Sequence, residues 1–209
     1  MALLDSVRNG ARAILRTRSA ALARRCTPYA AFLMGRAVGN DTTRWQDALY
    51  ELLRHKGITQ FAYVPDAGHS ILIDRALADK DVHAIPLTTE EEGVALIAGA
   101  DLGGARAVLL MQSSGVVNCI NMLSLIKAGR FPFLTFVSMR GDFGEGNPWQ
   151  FGMGQATAPV LEAMGVICLR IEHAQDVLST ASAALTMAFK SGQAVAVLLS
   201  QKLIGAKPF

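Results

Sequence analysis

From Thr42 onward the chain alternates short, continuous apolar runs with longer segments whose apolar residues recur at helical spacing. Runs such as "RAVLLMQ", "FPFLTFVS" and "AVAVLLS" have the length of strands and contain almost no polar residues. Strands of this kind are buried on both faces, which requires a parallel sheet covered by helices on each side. The pattern predicts one α/β domain over residues 42–209, with three layers, α/β/α, and a mostly parallel sheet.

The same pattern places the individual elements. The predicted helices cover "RWQDALYELLRHKG", "GHSILIDRALAD", the stretch after three consecutive glutamates, "NCINMLSLIKAG", "TAPVLEAMG" and "AQDVLSTASAALTMAFKSG". The further strands are "QFAYVP", "VHAIPL" and "VICLRI", and the glycine-rich stretch "MRGDFGEGNPWQFGMGQ" is predicted to be an irregular loop.

Residues 1–41 differ from the rest and are predicted to be a separate extension. Residues 1–40 hold seven arginines and many alanines against one acidic residue, Asp5. This composition is typical of an organellar transit peptide, and also of a loosely ordered extension or of translated sequence upstream of the true start. The three interpretations stay open.

Composition argues against several classes of protein. The positive net charge comes from the extension, so no basic face indicates nucleic-acid binding. The three cysteines and four histidines lack the spacing of a disulfide framework or a metal site. No apolar run is long enough to span a bilayer. A soluble, cytoplasmic protein is expected, and its 51% hydrophobic content suggests a large buried partner surface.

Ligands of parallel α/β sheets bind beyond the carboxyl ends of the strands. The candidate loops are "PDAGHS", with Asp66 and His69, "TTEEE", "MQSSGVVN" and "SMRGDFGEGN", with Arg140. The third loop exposes hydroxyl and backbone N–H groups of Gln112, Ser113, Ser114 and Gly115, and is followed by Asn118. Helix capping, or for Arg140 a surface ion pair with Asp142 or Glu145, would also account for these residues.

The three glutamates open a helix of small apolar residues. Acids in a first helical turn interact favourably with the helix dipole, and Thr89 with Glu92 matches a capping box. Glu90 is then expected to be solvated. Glu91 is left facing Val94, Ala95 and Ala98, where a carboxylate needs a partner or a proton. Glu91 is therefore predicted to be the functional acid.

Three stretches carry a resemblance to a known family: "EEEGVALIAGADLGG", "AVLLMQSSGVVNCINMLSLI" and "FPFLTFVSMRGDFGE". They resemble the pyrimidine-binding domain of thiamine diphosphate enzymes, in particular the alpha subunit of sulfopyruvate and phosphonopyruvate decarboxylases. The resemblance implies the thiamine diphosphate-binding fold and a glutamate, matched to Glu91, that hydrogen-bonds the cofactor's aminopyrimidine ring. It further implies cofactor contacts for Gln112, Ser113, Ser114 and Gly115, and substrate contacts, assigned more loosely, for Asp66, His69, Asn118 and Arg140.

The resemblance also implies a partner. The family's diphosphate-binding domain carries Gly-Asp-Gly followed by a distant Asn, whereas "RGD" is followed here by Phe143. A beta subunit is expected to supply diphosphate binding and Mg²⁺, in a hetero-oligomer with pairs of each subunit, and this chain is expected to bind no metal itself.

The implied reaction is decarboxylation of a 2-oxo acid. A carboligase subunit and a non-catalytic, partner-binding domain of the same fold remain alternatives. The family's Pro-Cys-Ser is replaced by "VPDAGHS", so the sulfo or phosphono substrate does not follow from the resemblance.

Overall fold

The computed structural model describes residues 44–206, so the predicted extension over residues 1–41 lies outside the described residues. Six strands are present there: β1 (Ile58–Tyr63), β2 (His83–Pro86), β3 (Arg106–Gln112), β4 (Phe133–Ser138), β5 (Ile167–Ile171) and β6 (Ala194–Leu199). The helices of the same part are α1 (Trp45–His55), α2 (Ser70–Ala78), α3 (Glu90–Leu102), α4 (Val116–Cys119), α5 (Leu123–Gly129), α6 (Trp149–Ala163), α7 (Val177–Phe189) and α8 (Gln201–Ile204).

The strands form one sheet in the order β2-β1-β3-β4-β6-β5, and every pairing is parallel. The predicted α/β fold with a parallel sheet is confirmed. From β1 the chain crosses to β2 on one side, and from β3 it crosses to β4 on the other. The crevice between β1 and β3 is therefore a topological switch point, where such folds bind ligands.

Both faces of the sheet are buried. Leu109 and Leu110, consecutive residues of β3, point to opposite faces and are each fully buried. Leu110 packs in a cluster with residues of α1, α2 and α7, and Leu109 packs with residues of α3, α5 and α6. This two-sided burial explains why the strand sequences are continuously apolar.

Most predicted elements are confirmed to within a few residues, with two exceptions. "NCINMLSLIKAG" is divided between the short α4 and α5, and does not form one helix. The predicted irregular loop is too long, because α6 begins at Trp149, eight residues before the predicted helix "TAPVLEAMG".

Gly154 lies within α6, in the stretch that was predicted to be a loop, and close packing explains why a glycine is there. A Cβ atom at Gly154 would lie 2.1 Å from the carbonyl oxygen of Arg140 and 2.7 Å from Cα of Gly141. Gly154 thus lets the helix approach the loop after β4, and it does not interrupt the helix.

The loop after β4 is fixed by a buried ion pair. Arg140 donates through Nε and Nη2 to the two carboxylate oxygens of Glu145, at 2.6 and 2.7 Å. The side chains are 11% and 1% exposed, respectively. Glu145 also accepts from the backbone N–H groups of Gly141 and Asn147. The Arg140 hydrogen bonds, assisted by these backbone donors, lower the pKa of Glu145 to about 2.

Within residues 44–206, no helix is both long and apolar enough to cross a membrane.

Gly154→Ala is expected to lower the free energy of unfolding by about 1–3 kcal/mol, because the new methyl group clashes with backbone atoms that cannot easily move. Gly152→Ala is the matched control, since a Cβ atom there would meet nothing within 4 Å. It should stabilise α6 by up to about 1 kcal/mol. Chemical denaturation measures the free energy of unfolding of each variant. Equal changes for Gly154→Ala and Gly152→Ala would contradict the packing argument.

Glu145→Gln is expected to lower the free energy of unfolding by about 3 kcal/mol at pH 7, because Arg140 loses its buried counter-charge. The folded pKa of Glu145 lies below its ordinary value, so its stabilisation is complete above that value, near 4.5, and is lost as the pH falls towards 2. Denaturation from pH 7 to pH 3 should show wild type and variant converging. Glu162→Gln, at an exposed position, is the control and should change stability by less than about 0.5 kcal/mol. A wild-type advantage that stays constant with pH would contradict the assignment.

Candidate active site

The three consecutive glutamates are not equivalent in the structure. Glu90 is 8% exposed, whereas Glu91 and Glu92 are exposed. The burial predicted for Glu91 is therefore wrong, as is the solvation predicted for Glu90. The buried carboxylate at the start of α3 belongs to the first of the three glutamates.

Helical geometry gives the reason. The positions three, four and seven residues after Glu90 are Gly93, Val94 and Ile97, all buried. Ala95, which lies four residues after Glu91, is exposed. Because small and apolar residues occur on every side of α3, composition alone did not reveal which face is buried.

Glu92 is confirmed as a residue that satisfies the start of the helix, although with a different partner. Its carboxylate accepts from the backbone N–H of Thr88 at 2.9 Å. Thr89 occupies the N-cap position but makes no side-chain capping bond. Glu90 takes no part in these contacts at the start of the helix.

The Glu90 carboxylate lies against the turn that follows β3. Asn118 donates through Nδ2 to Oε2 of Glu90 at 2.9 Å. A Cβ atom at Gly115 would lie 2.2 Å from Cδ and from Oε1 of Glu90, so only glycine leaves room for this carboxylate. Oε1 has no hydrogen-bond partner among residues 44–206. One oxygen of the acid is thus anchored and the other is available to a ligand.

The Cys119 thiol lies directly beneath this turn and is fully buried. Its Sγ lies 3.8 Å from the carbonyl oxygen of Gly115 and 3.8 Å from the sulfur of Met111. Burial, and secondarily the charge of Glu90, raise the pKa of Cys119 to about 12. The thiol stays protonated at neutral pH and packs beneath the turn without serving as a nucleophile.

A hydrogen-bonded chain crosses the switch point between β1 and β3. Gln112 donates through Nε2 to Oδ1 of Asp66 and accepts from the hydroxyl of Ser114, each at 2.9 Å. Oδ2 of Asp66 accepts from the Gly68 N–H and from the Ser138 hydroxyl. Three of the four candidate loops therefore meet at this point.

Asp66, Gly68, Gln112 and Ser138 line an open cleft of about 200 Å³. Its polar wall consists of Asp66, Gln112, Ser138 and Arg140, and its apolar wall includes Ile204 and Ala206 beside β6. The structure thus brings Asp66, Gln112 and Arg140 together in one cleft. Ser114 joins them through Gln112, and Ser138 was missed because a serine that ends an apolar strand carries no distinctive signal.

Two further predicted site residues serve the scaffold. Ser113 is fully buried, and its hydroxyl accepts from the Arg140 N–H at 3.0 Å. Arg140 is paired with Glu145, one of the two acids proposed from sequence, although this pair is buried and does not lie on the surface. The predicted side-chain contact of Ser113 with cofactor conflicts with its burial.

His69 lies in the interior and does not line the cleft. It is fully buried, and its Nε2 donates to the carbonyl oxygen of Met111 at 3.1 Å. Burial lowers its pKa, so the imidazole is neutral. The substrate contact predicted for His69 conflicts with this position. His69 ends a short 3-10 turn, Ala67–His69, in which Gly68 packs closely against Ser138.

Among residues 44–206, no three His, Cys, Asp or Glu side chains are grouped so that they could hold a metal ion.

Comparison with known proteins agrees with this architecture. Residues 65–206 match the family model described as "Pyruvate flavodoxin/ferredoxin oxidoreductase, thiamine diP-bdg". The solved 2-oxoglutarate:ferredoxin oxidoreductase from Magnetococcus marinus superimposes with a TM-score of 0.58 at 16% identity. That alignment covers 78% of this chain and 29% of the other, and it shows a shared fold.

Similar sequences include the sulfopyruvate decarboxylase subunits alpha of Methanococcus maripaludis and Methanocaldococcus jannaschii. The first is 39% identical, and the alignment covers 57% of this chain and 72% of the relative. The second is 32% identical, and the alignment covers 72% of this chain and 90% of the relative. Phosphonopyruvate decarboxylase of Streptomyces viridochromogenes is 35% identical over 61% of this chain and 33% of its own length. The resemblance stated from sequence is confirmed, and the chain belongs to the family of thiamine diphosphate-binding domains described by that model.

Proposed function

We propose that the chain is the alpha subunit of a two-subunit, thiamine diphosphate-dependent 2-oxo acid decarboxylase, a carboxy-lyase. Two relatives named as alpha subunits of a decarboxylase align over most of their own length. Family membership supports the cofactor, and the names of the relatives support the reaction.

The Glu90 carboxylate is the observation that carries this proposal. A buried acid with one oxygen held by Asn118, and the other without a hydrogen-bond partner among the described residues, suits a ligand that presents a hydrogen-bond donor. An aminopyrimidine ring nitrogen in its protonated form is such a donor. Glu90 therefore replaces Glu91 as the proposed catalytic acid. The carboxylate of Glu91 is exposed and is hydrogen-bonded by water, so it does not wait for a ligand.

When bound, thiamine diphosphate supplies the electron sink for loss of carbon dioxide from a 2-oxo acid. Glu90 would hold a proton at the ring nitrogen that it contacts, and Asn118 would keep the carboxylate in place. Gly115 would keep room for the Glu90 carboxylate, since a Cβ atom at this position would overlap with Oε1. The backbone of the turn over Ser113–Gly115 would orient the ring, and the cleft beside Gln112 would receive the substrate.

A second subunit is part of the proposal. The chain spans about a third of the phosphonopyruvate decarboxylase that it matches, whereas it spans most of the relatives named as subunits. The remaining machinery, including the site for diphosphate and Mg²⁺, would belong to a beta subunit, with pairs of each chain in the assembly. The exposed Trp149 and Phe143 are apolar surface that such a subunit would cover.

A cytoplasmic location completes the proposal. Cys119 and Cys168 are both free thiols within the described residues. Unpaired thiols are usual in a reducing compartment.

Glu90→Gln should reduce decarboxylation at least about 100-fold, because an amide cannot exchange the proton that the carboxylate holds. The measurement is carbon dioxide release by the chain reconstituted with its partner subunit, thiamine diphosphate and Mg²⁺. Cofactor affinity, measured by calorimetry on the same complex, gives a second readout.

Glu91→Gln is the matched control, since it removes a neighbouring charge from an exposed position of the same helical turn. It should retain nearly full activity. Loss of activity in Glu91→Gln with retention in Glu90→Gln would restore the assignment made from sequence. Full activity in both would favour a domain that does not use its glutamates for catalysis.

The isolated chain should bind thiamine diphosphate weakly, and Mg²⁺ should not strengthen the binding, because the diphosphate half of the site is proposed to belong to the partner. Titration calorimetry with and without Mg²⁺ tests this. Tight, Mg²⁺-dependent binding by this chain alone would contradict the division of the site between two subunits.

A further inference from the structure

The cleft beside Gln112 carries an unbalanced negative charge. Asp66 and Arg140 are the charged side chains on its described walls. Arg140 is already paired with Glu145, which binds two of its three guanidinium nitrogens. Among residues 44–206, the one cation that lines the cleft therefore has its own carboxylate, and Asp66 is a second negative charge beside it.

Within the described part of the chain, no cation is hydrogen-bonded to Asp66. Its two oxygens accept from Gln112, from the Gly68 N–H and from the Ser138 hydroxyl, all of which are neutral donors. These donors hold the carboxylate in place without cancelling its charge. The charge of Asp66 also contributes to raising the pKa of Arg140, after the larger effect of its hydrogen bonds to Glu145, so Asp66 lies close enough to interact with the same guanidinium.

A second anionic group on a substrate would meet this charge. Like charges a few ångströms apart in a partly desolvated site repel strongly, and such repulsion is a common means of excluding a ligand. The other wall, with Ile204 and Ala206, favours contact with a short alkyl group. The cleft thus suits a small, uncharged substituent.

We propose that this chain selects 2-oxo acids whose side chain carries no second anionic group. The inference rests on the proposed function and refines its substrate class. The relatives are named for sulfopyruvate and phosphonopyruvate, whose sulfonate and phosphonate are such second anions. Asp66 is the specificity-determining residue, because Arg140 is bonded to Glu145 and the three groups together keep one negative charge in excess.

The test compares four substrates with the reconstituted two-subunit enzyme: pyruvate, 2-oxobutanoate, sulfopyruvate and phosphonopyruvate. The expected kcat/KM for the two uncharged side chains is at least about 10-fold higher than for the two anionic ones. A preference for either anionic substrate overturns this inference and leaves the proposed decarboxylase intact. No carbon dioxide from any of the four overturns the proposed function, and this inference with it.

Asp66→Asn keeps the shape of the residue and removes its charge. It should raise the ratio of anionic to uncharged kcat/KM about 10-fold, and Glu145→Gln should shift the ratio in the same direction by leaving Arg140 uncompensated. Asp74→Asn, at an exposed position of α2, is the matched control and should leave the ratio unchanged. If the ratio of anionic to uncharged kcat/KM is unchanged in both Asp66→Asn and Glu145→Gln, the role of Asp66 is overturned. The comparison of the four substrates with the wild-type enzyme does not depend on whether either variant folds.

Discussion

All strand pairings in the sheet are parallel, and the geometry of every candidate loop depends on this constraint. Parallel strands end at the same edge, so Asp66, Gln112 and Ser138, which are far apart in sequence, come within hydrogen-bonding distance after β1, β3 and β4. The reversal of strand order between β1 and β3 opens the crevice that these residues fill. An antiparallel arrangement of the same strands would place half of these loops at the opposite edge.

The local sequence around the glutamates predicted that one acid of the three faces the buried side of the helix, but it selected Glu91 where the structure buries Glu90. Three adjacent carboxylates differ by about 100° each around a helix, and one step separates burial from exposure. The decisive contacts of Glu90 are with Gly115 and Asn118, on a different loop, and no pattern within α3 encodes them. The spacing of Gly93, Val94 and Ile97 was a usable signal, because these residues share the face of Glu90.

The sheet and most helices followed from sequence because burial on two faces leaves a strong periodic signal in each strand. The end of the loop after β4, and with it the start of α6, did not follow, because the glycines there serve close contacts between backbones. A glycine-rich sequence has the same pattern whether its glycines make a loop flexible or allow two backbone segments to pack closely. His69 was misplaced for a related reason: a short turn that carries a side chain inward resembles one that exposes it.

The ion pair between Arg140 and Glu145 has a consequence for assembly. With Gln201 also donating to Glu145 and accepting from the Asp142 and Phe143 N–H groups, the loop after β4 is shaped by contacts within its own chain. A segment ordered in this way loses its conformational entropy during folding. Any molecule that later covers it meets a preformed surface, so association need not include an ordering step there and is limited instead by collision and orientation.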